Sequence, residues 1–152
     1  MAVPSALRGL MVAVEAAQRQ RDEARRRLQS ARQAQMAAQG QMEQLQAYAH
    51  ETEGRWGMRA NVTMAPEVMF HHYQFMDRLG HAMGLQTTVV QDHECRVAQA
   101  QQALLQTELR LTSLQKLTDK RHQEIEKAQA RREQKQTDER AALQYLQQRK
   151  GL

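Results

Sequence analysis

The stretch GRWGMRANVTMAP, residues 54–66, interrupts a pattern that is otherwise helical on both sides. It holds two of the seven glycines and one of only two prolines in the chain. Glycine weakens a helix, and proline suits the first turn of a new one. We therefore predict a loop at residues 54–65 that joins a helix at residues 5–53 to a second helix at residues 66–148.

Both predicted helices carry apolar residues at heptad spacing. In the first helix, position a holds Leu7, Val14, Arg21, Leu28, Gln35, Met42 and Ala49, and position d holds Leu10, Ala17, Ala24, Ala31, Ala38, Leu45 and Thr52. In the second helix, position a holds Met69, Met76, Met83, Val90, Val97, Leu104, Leu111, Thr118 and Ile125, and position d holds His72, Leu79, Gln86, His93, Ala100, Thr107, Leu114, Arg121 and Ala128. Such sustained spacing is typical of coiled coils. The predicted fold is all-α, a long antiparallel two-helix coiled-coil hairpin whose second helix is longer than the first.

The two seams match in size when the chain folds back at the loop. Position d of the first helix is mostly alanine, whereas position a of the second holds methionine, valine and leucine. Pairing Leu10 with Leu111 sets small residues against large ones and brings Gln35 opposite Gln86. A shift of one heptad keeps the size match but separates the two glutamines, and because a buried polar pair fixes register we predict the unshifted pairing. It leaves residues 117–148 as an unpaired overhang of a single domain, residues 1–152.

The composition limits what else this chain can be. It has 152 residues, 4% aromatic residues and a mean hydropathy of −0.80, so it can bury only a narrow seam. The 22 basic residues are interleaved with 17 acidic ones, which favours a solvated helix surface but is also compatible with an acidic partner, acidic lipid or nucleic acid. The single Cys95 excludes an intramolecular disulfide. No signal-peptide pattern or run long enough to span a bilayer is found, so we expect a cytoplasmic protein.

No catalytic or metal-binding pattern occurs in the sequence. A glycine-rich phosphate loop, an HExxH motif and a nucleophile elbow are all missing. His71 and His72 are adjacent and would point about 100° apart on a helix, which does not suit a shared metal ion. We predict no enzyme activity, no cofactor and no metal site. A basic cluster could contact phosphates but lacks interleaved aromatic residues, which favours an acidic protein partner or solvation. It comprises Arg19, Arg21, Arg25, Arg26, Arg27 and Arg32.

Two aromatic residues flank the seam near the predicted loop. Tyr48 and Phe75 both occupy position g, and Gln41 and Ala82 share that position. In an antiparallel pair, g lies beside g of the other helix, so these residues fall on one side of the hairpin. The adjacent position d holds Leu45, Thr52, Leu79 and Gln86. Exposed aromatic residues of this kind mark a binding surface, and the alternative is that they widen a weak seam.

Several segments, in their order and spacing, resemble the FliJ family of flagellar export proteins. They are residues 21–28 (RDEARRRL), 44–48 (QLQAY), 73–82 (YQFMDRLGHA) and 131–139 (RREQKQTDE). The resemblance implies an antiparallel coiled coil that acts as a non-enzymatic stalk and adaptor of the flagellar type III export apparatus. Such a stalk joins the ring of the export ATPase FliI to the export gate protein FlhA, with possible chaperone-related roles and contacts with export chaperones.

The resemblance also assigns residues to these partners. The gate-contacting set is Gln41, Leu45, Tyr48, Phe75, Leu79, Ala82 and Gln86. The end that carries both termini would enter the ATPase ring, and the basic residues assigned to that contact are Arg19, Arg25, Arg26, Lys127, Arg131 and Arg132. We expect the protein to be a monomer in the cytoplasm that its partners hold at the cytoplasmic face of the inner membrane.

Three alternatives stand beside this interpretation. The first is the equivalent stalk of a virulence type III secretion system. The second is a basic helical hairpin that binds nucleic acid, which salt-dependent retention on DNA would support. The third is a symmetric coiled-coil oligomer in which the chain does not fold back.

Overall fold

The computed structural model describes residues 3–59 and 65–151, which form two helices. Helix α1 spans Ser5–Arg59, and helix α2 spans Pro66–Lys150. The helices form an antiparallel hairpin, α2 is the longer one, and no strand occurs in the described residues. The predicted fold class is confirmed. The chain folds back on itself, so the alternative of an extended chain is wrong.

The end of α1 differs from the prediction, because the helix continues through Gly54 and Gly57 to Arg59. A glycine inside a helix costs roughly 0.5–1 kcal/mol relative to alanine. What offsets this cost is a stack between the indole of Trp56 and the imidazole of His72 on α2, with ring centroids 3.7 Å apart and planes 4° from parallel. The seam therefore extends into the stretch that we predicted to be loop, and residues 60–64 of that stretch lie outside the described residues.

The start of α2 follows from the chemistry of proline. Pro66 is the first helical residue, where its missing N–H would have no partner within the helix. The carbonyl oxygen of Ala65 accepts hydrogen bonds from the N–H groups of Val68 and Met69, at 3.0 and 3.3 Å. These bonds close the first turn, so α2 begins at the predicted residue.

The contacts divide the chain into two compact units. Unit 1 comprises Met1–Arg21 and Thr107–Leu152, and unit 2 comprises Asp22–Gln106. Each unit contains a segment of α1 and a segment of α2. That residues 1–152 form a single coiled-coil domain stays a prediction.

In unit 2, the residues at positions a and d form the seam between the two helix segments. Every residue at position a or d is buried or half-buried from Ala24 to Thr52 on α1 and from His72 to Leu104 on α2. The most buried are Ala24, Leu28, Ala38, Leu79, Val90 and Val97. None of the buried residues is polar or charged. The seam is therefore narrow, and its most buried positions are apolar.

The register of unit 2 corrects the predicted pairing. Gln86 does not lie opposite Gln35; its side-chain nitrogen donates hydrogen bonds to the carbonyl oxygen of Ala38 and to Oε1 of Gln41, at 2.9 and 3.3 Å. Together with the stack of Trp56 on His72, these contacts fit a pairing shifted by one heptad. The physical reason is that α1 runs on to Arg59, so the turn and the pairing move along the chain together.

Unit 1 shows the same shift. Leu7, predicted to pair with Leu114, instead lines a groove with Ile125 and Arg132. Leu7, Ala17 and Leu111 are buried, and Ile125 is half-buried. Every described residue from 126 to 151 is exposed. Ile125 is thus the last half-buried residue of α2, which stays helical to Lys150, and the unpaired overhang at residues 117–148 stays a prediction.

Replacing a seam residue of unit 1 tests its contribution to stability. Leu111 is 4% exposed, whereas Leu109, two residues before it on the same helix, is 60% exposed. We expect Leu111→Ala to lower the free energy of unfolding by about 2–3 kcal/mol, because it removes buried methyl groups and leaves a cavity. Leu109→Ala should change it by less than about 0.5 kcal/mol. Urea unfolding followed by circular dichroism measures both, and equal losses would contradict the seam.

The shifted register can be checked by fluorescence, because Trp56 is the only tryptophan. His72→Ala removes the ring stacked on Trp56, so we expect its emission to move to longer wavelengths and acrylamide quenching to increase. His71→Ala is the matched control, since His71 is the exposed neighbour of His72. If both variants give the wild-type spectrum, the stack and the register it supports are wrong.

Candidate partner-binding surface

Two aromatic rings form the centre of the candidate surface, which lies entirely within unit 2. The rings of Tyr48 on α1 and Phe75 on α2 meet edge to face, with centroids 5.9 Å apart and planes 82° from parallel. This arrangement is favourable for aromatic pairs because the positive edge of one ring faces the negative face of the other. Tyr48 nevertheless stays 53% exposed and Phe75 39% exposed. The structure therefore brings the two predicted aromatic residues together and leaves both accessible.

A polar contact holds the neighbouring part of this surface. The side-chain amide of Gln86, half-buried at a seam position, donates to a backbone carbonyl of α1 and to the side-chain oxygen of Gln41. A half-buried amide without such acceptors would lose hydrogen bonds to water without replacement. The two bonds link α2 to α1 at this level and hold the exposed side chain of Gln41 by its oxygen atom.

The seven residues assigned to the gate contact fall into three groups by exposure. Gln41, Tyr48 and Phe75 are exposed; Leu45, Ala82 and Gln86 are half-buried; Leu79 is buried at 8% exposure. A buried side chain offers a partner almost no contact area. Leu79 is thus a seam residue beneath the surface, and any direct contact depends on the exposed members.

Three exposed apolar residues on the same side of unit 2 were missed by the sequence analysis. They are Val68, Leu85 and Val89. Val68 and Val89 occupy position g of α2, as Phe75 and Ala82 do, and Leu85 occupies the adjacent position c. The signal was present in the register, since position g of α2 contains only apolar residues from 68 to 89. We refer to Val68, Phe75, Ala82, Leu85 and Val89 as the apolar stripe.

The basic residues assigned to the ATPase ring are divided between the two units. Arg25 and Arg26 lie in unit 2, whereas Arg19, Lys127 and Arg131 lie in unit 1, and all five are exposed. The sixth residue, Arg132, also belongs to unit 1. It lines the groove of about 610 Å³ that is formed with Val3, Pro4 and Leu7 near the start of α1. Within unit 1, Arg132 of α2 therefore lies close to the beginning of α1.

Residues 3–59 and 65–151 also bear on two other kinds of site, a metal centre and a membrane span. No three His, Cys, Asp or Glu side chains of this part come close enough together to hold a metal ion. Neither α1 nor α2, over these described residues, is sufficiently apolar to cross a bilayer.

The chain was compared with known protein families and known proteins. The family described as "Flagellar FliJ protein" matches residues 10–150. No curated protein and no solved structure matches the chain. The matched range includes the apolar stripe, the seven residues of the candidate surface and all six assigned basic residues.

Proposed function

This chain belongs to the FliJ family of flagellar proteins, and from that premise we propose that it is a non-enzymatic stalk linking the export ATPase FliI to the export gate protein FlhA. Family membership makes it a component of the flagellar export apparatus, with a part in protein transport. The flagellar match also favours this assignment over a virulence secretion system.

We place the contact with FlhA on the loop-proximal side of unit 2. The observation that supports it is the exposed edge-to-face pair of Tyr48 and Phe75. Aromatic side chains with large exposed areas and fixed positions are the residue types that dominate binding energy at protein interfaces. Gln41 adds a polar group beside them, and Leu79 and Gln86 support the surface from the seam.

We place the contact with FliI on the basic part of unit 1. Lys127, Arg131 and Arg132 lie on the part of α2 that follows the last half-buried seam residue, Ile125. Exposed cations on a helix surface can pair with carboxylates of a surrounding partner. Because such pairs are solvated, added salt should weaken this contact. Arg19 belongs to the same unit.

The two contacts together define the role of the protein. Both surfaces belong to one chain with two long helices, so it can bind the ATPase and the gate at once and couple ATP turnover to gate opening. It acts as a monomer in the cytoplasm and is held at the inner membrane by its partners. Contacts with export chaperones would occur in the same assembly.

The two phenylalanines of the chain provide a matched test of the gate contact. Phe75 lies on the candidate surface, and Phe70 is more exposed, at 60%, but its position b points to the opposite side of α2. We expect Phe75→Ala to weaken binding to the purified cytoplasmic domain of FlhA by about 30-fold, which corresponds to loss of about 2 kcal/mol. Phe70→Ala should change the affinity by less than about twofold. Isothermal titration calorimetry measures both.

The outcomes separate two errors. If the wild-type protein does not bind the FlhA domain, the proposed function is wrong. If it binds and the two alanine variants bind equally well, the assignment of the surface is wrong while the function stands.

A charge-reversal pair tests the ATPase contact. We expect Arg131→Glu combined with Arg132→Glu to weaken binding to FliI by more than about tenfold at low salt, with a smaller difference at high salt because the charges are screened. The control combines Lys116→Glu with Lys120→Glu, which changes the net charge equally at exposed positions of the same unit. Equal weakening by both pairs would indicate a non-specific charge effect. Tight, strongly salt-dependent binding of duplex DNA would support the nucleic-acid alternative instead.

A further inference from the structure

We infer that the apolar stripe of unit 2 receives an amphipathic helix of the gate partner, about three heptads long, which packs beside α1 and α2 as the third helix of a local three-helix coil. This inference rests on the proposed function, because it names the kind of segment that the gate surface binds. It enlarges that surface beyond the aromatic pair, to Val68 at one end and Val89 at the other.

The spacing of the stripe is the first argument. Val68, Phe75, Ala82 and Val89 follow one another at intervals of seven residues, and three of them are exposed, Val68 at 49% and Val89 at 41%. From the first to the last of them α2 advances by 21 residue steps, or roughly 32 Å at the helical rise. A buried seam explains heptad spacing at positions a and d, but not an apolar residue at every position g over three heptads. The exposed repeat therefore indicates a second seam without its partner in the isolated chain.

The first helix contributes the other wall of this second seam. Position g of α1 holds Ala34, Gln41 and Tyr48 in unit 2. The ring contact of Tyr48 with Phe75 shows that position g of α1 faces position g of α2. Ala34 is half-buried, as Ala82 is on α2. Because Ala34 and Ala82 are small, they leave a shallow groove between the larger side chains at position g of the two helices. We call this groove the valley.

The charges near the valley define the chemistry of the occupant. Residues at position g are uncharged from 34 to 48 on α1 and from 68 to 89 on α2. Beyond these ranges, position g holds an arginine on both sides of the range on α1 and after residue 89 on α2. Each of these arginines is already paired with a carboxylate one turn away on its own helix. The pairs are Arg27 with Glu23 at 2.7 Å, Arg55 with Glu51 at 2.7 Å and Arg96 with Asp92 at 2.9 Å. The valley therefore suits an apolar seam and offers little attraction to an acidic tail or to nucleic acid.

The period of the valley distinguishes a helix from an extended segment. Successive g residues lie about 10.5 Å apart along α2, which is also the distance between equivalent heptad positions of a third helix. On a β-strand, side chains of one face recur about every 6.7 Å, so an extended segment would fall out of step within two contacts. A helix that supercoils with α1 and α2 stays in step over all three heptads.

Substitution at the far end of the stripe tests its extent. We expect Val89→Asp to weaken binding to the FlhA cytoplasmic domain by more than tenfold, because it places a carboxylate in an apolar contact. Leu105→Asp is the matched control, since Leu105 is also exposed, at 49% against 41% for Val89, on the same helix of unit 2 but occupies position b on the opposite side. It should change the affinity by less than twofold.

The outcomes with Val89 distinguish this inference from the proposed function. If Phe75→Ala weakens binding but Val89→Asp does not, the gate contact stands and the long stripe is wrong. If the wild-type protein does not bind FlhA, both the proposed function and this inference are wrong. Circular dichroism of Val89→Asp and Leu105→Asp, measured beside the wild type, must show equal helix content. Unequal content would mean that the loss reports unfolding, and would overturn the inference.

Photocrosslinking tests the helical form of the occupant. A benzophenone side chain is placed in turn at positions 68, 82 and 89, and the crosslinked partner residues are identified by mass spectrometry. A helix lying along the stripe predicts crosslinks in one partner segment, in a single direction, separated by about 14 and then about 7 residues. Crosslinks to scattered partner segments, or to a second copy of this chain, would overturn it.

Discussion

A seam about one side chain wide, between α1 and α2, is the constraint on which every other feature depends. In both units, small residues such as Ala17 and Ala38 share the buried seam with larger ones such as Val90 and Leu111. No described side chain is so deeply covered that less than 2% of it remains exposed. Two helices can cover only the residues that face each other, so the protein has no room for a second layer. None of the fully buried side chains among residues 3–59 and 65–151 is polar or charged, so any specificity of these residues depends on half-buried and exposed side chains.

The heptad pattern predicted which residues are buried, but it did not predict their pairing. An alanine column facing a column of larger residues matches equally well when one helix slides by seven residues, so size complementarity alone leaves the register degenerate. The contact that distinguishes the two registers is the stack of Trp56 on His72. Forming it requires α1 to continue through Gly54 and Gly57, and local propensity argued against that continuation. Here a tertiary contact outweighed the preference of two glycines, which a reading of local sequence could not anticipate.

The candidate surface was predictable to the extent that the register places side chains. Position g brought Tyr48 and Phe75 to the same side, and the structure shows their rings in contact. The same position would also have revealed Val68 and Val89, had it been followed along the whole of α2. Exposure was harder to foresee, because Leu79 at position d is buried while Phe75, four residues earlier, is not. The identity of a partner is not encoded in such geometry, and the partners proposed above rest on membership of the FliJ family.

Two contacts that fix the register lie on either side of the aromatic pair. Along α1, Tyr48 lies between Ala38 and Gln41, which accept the hydrogen bonds of Gln86, and Trp56, which stacks on His72. If α1 slid along α2 at this level, the rings of Tyr48 and Phe75 would separate, whereas sliding elsewhere along the seam would leave this pair intact. A surface held in its binding conformation before the partner arrives loses less conformational entropy on association. If the proposed gate contact is right, the polar and aromatic contacts contribute to recognition through their position, because they hold in register the part of the narrow seam that lies beneath the proposed surface.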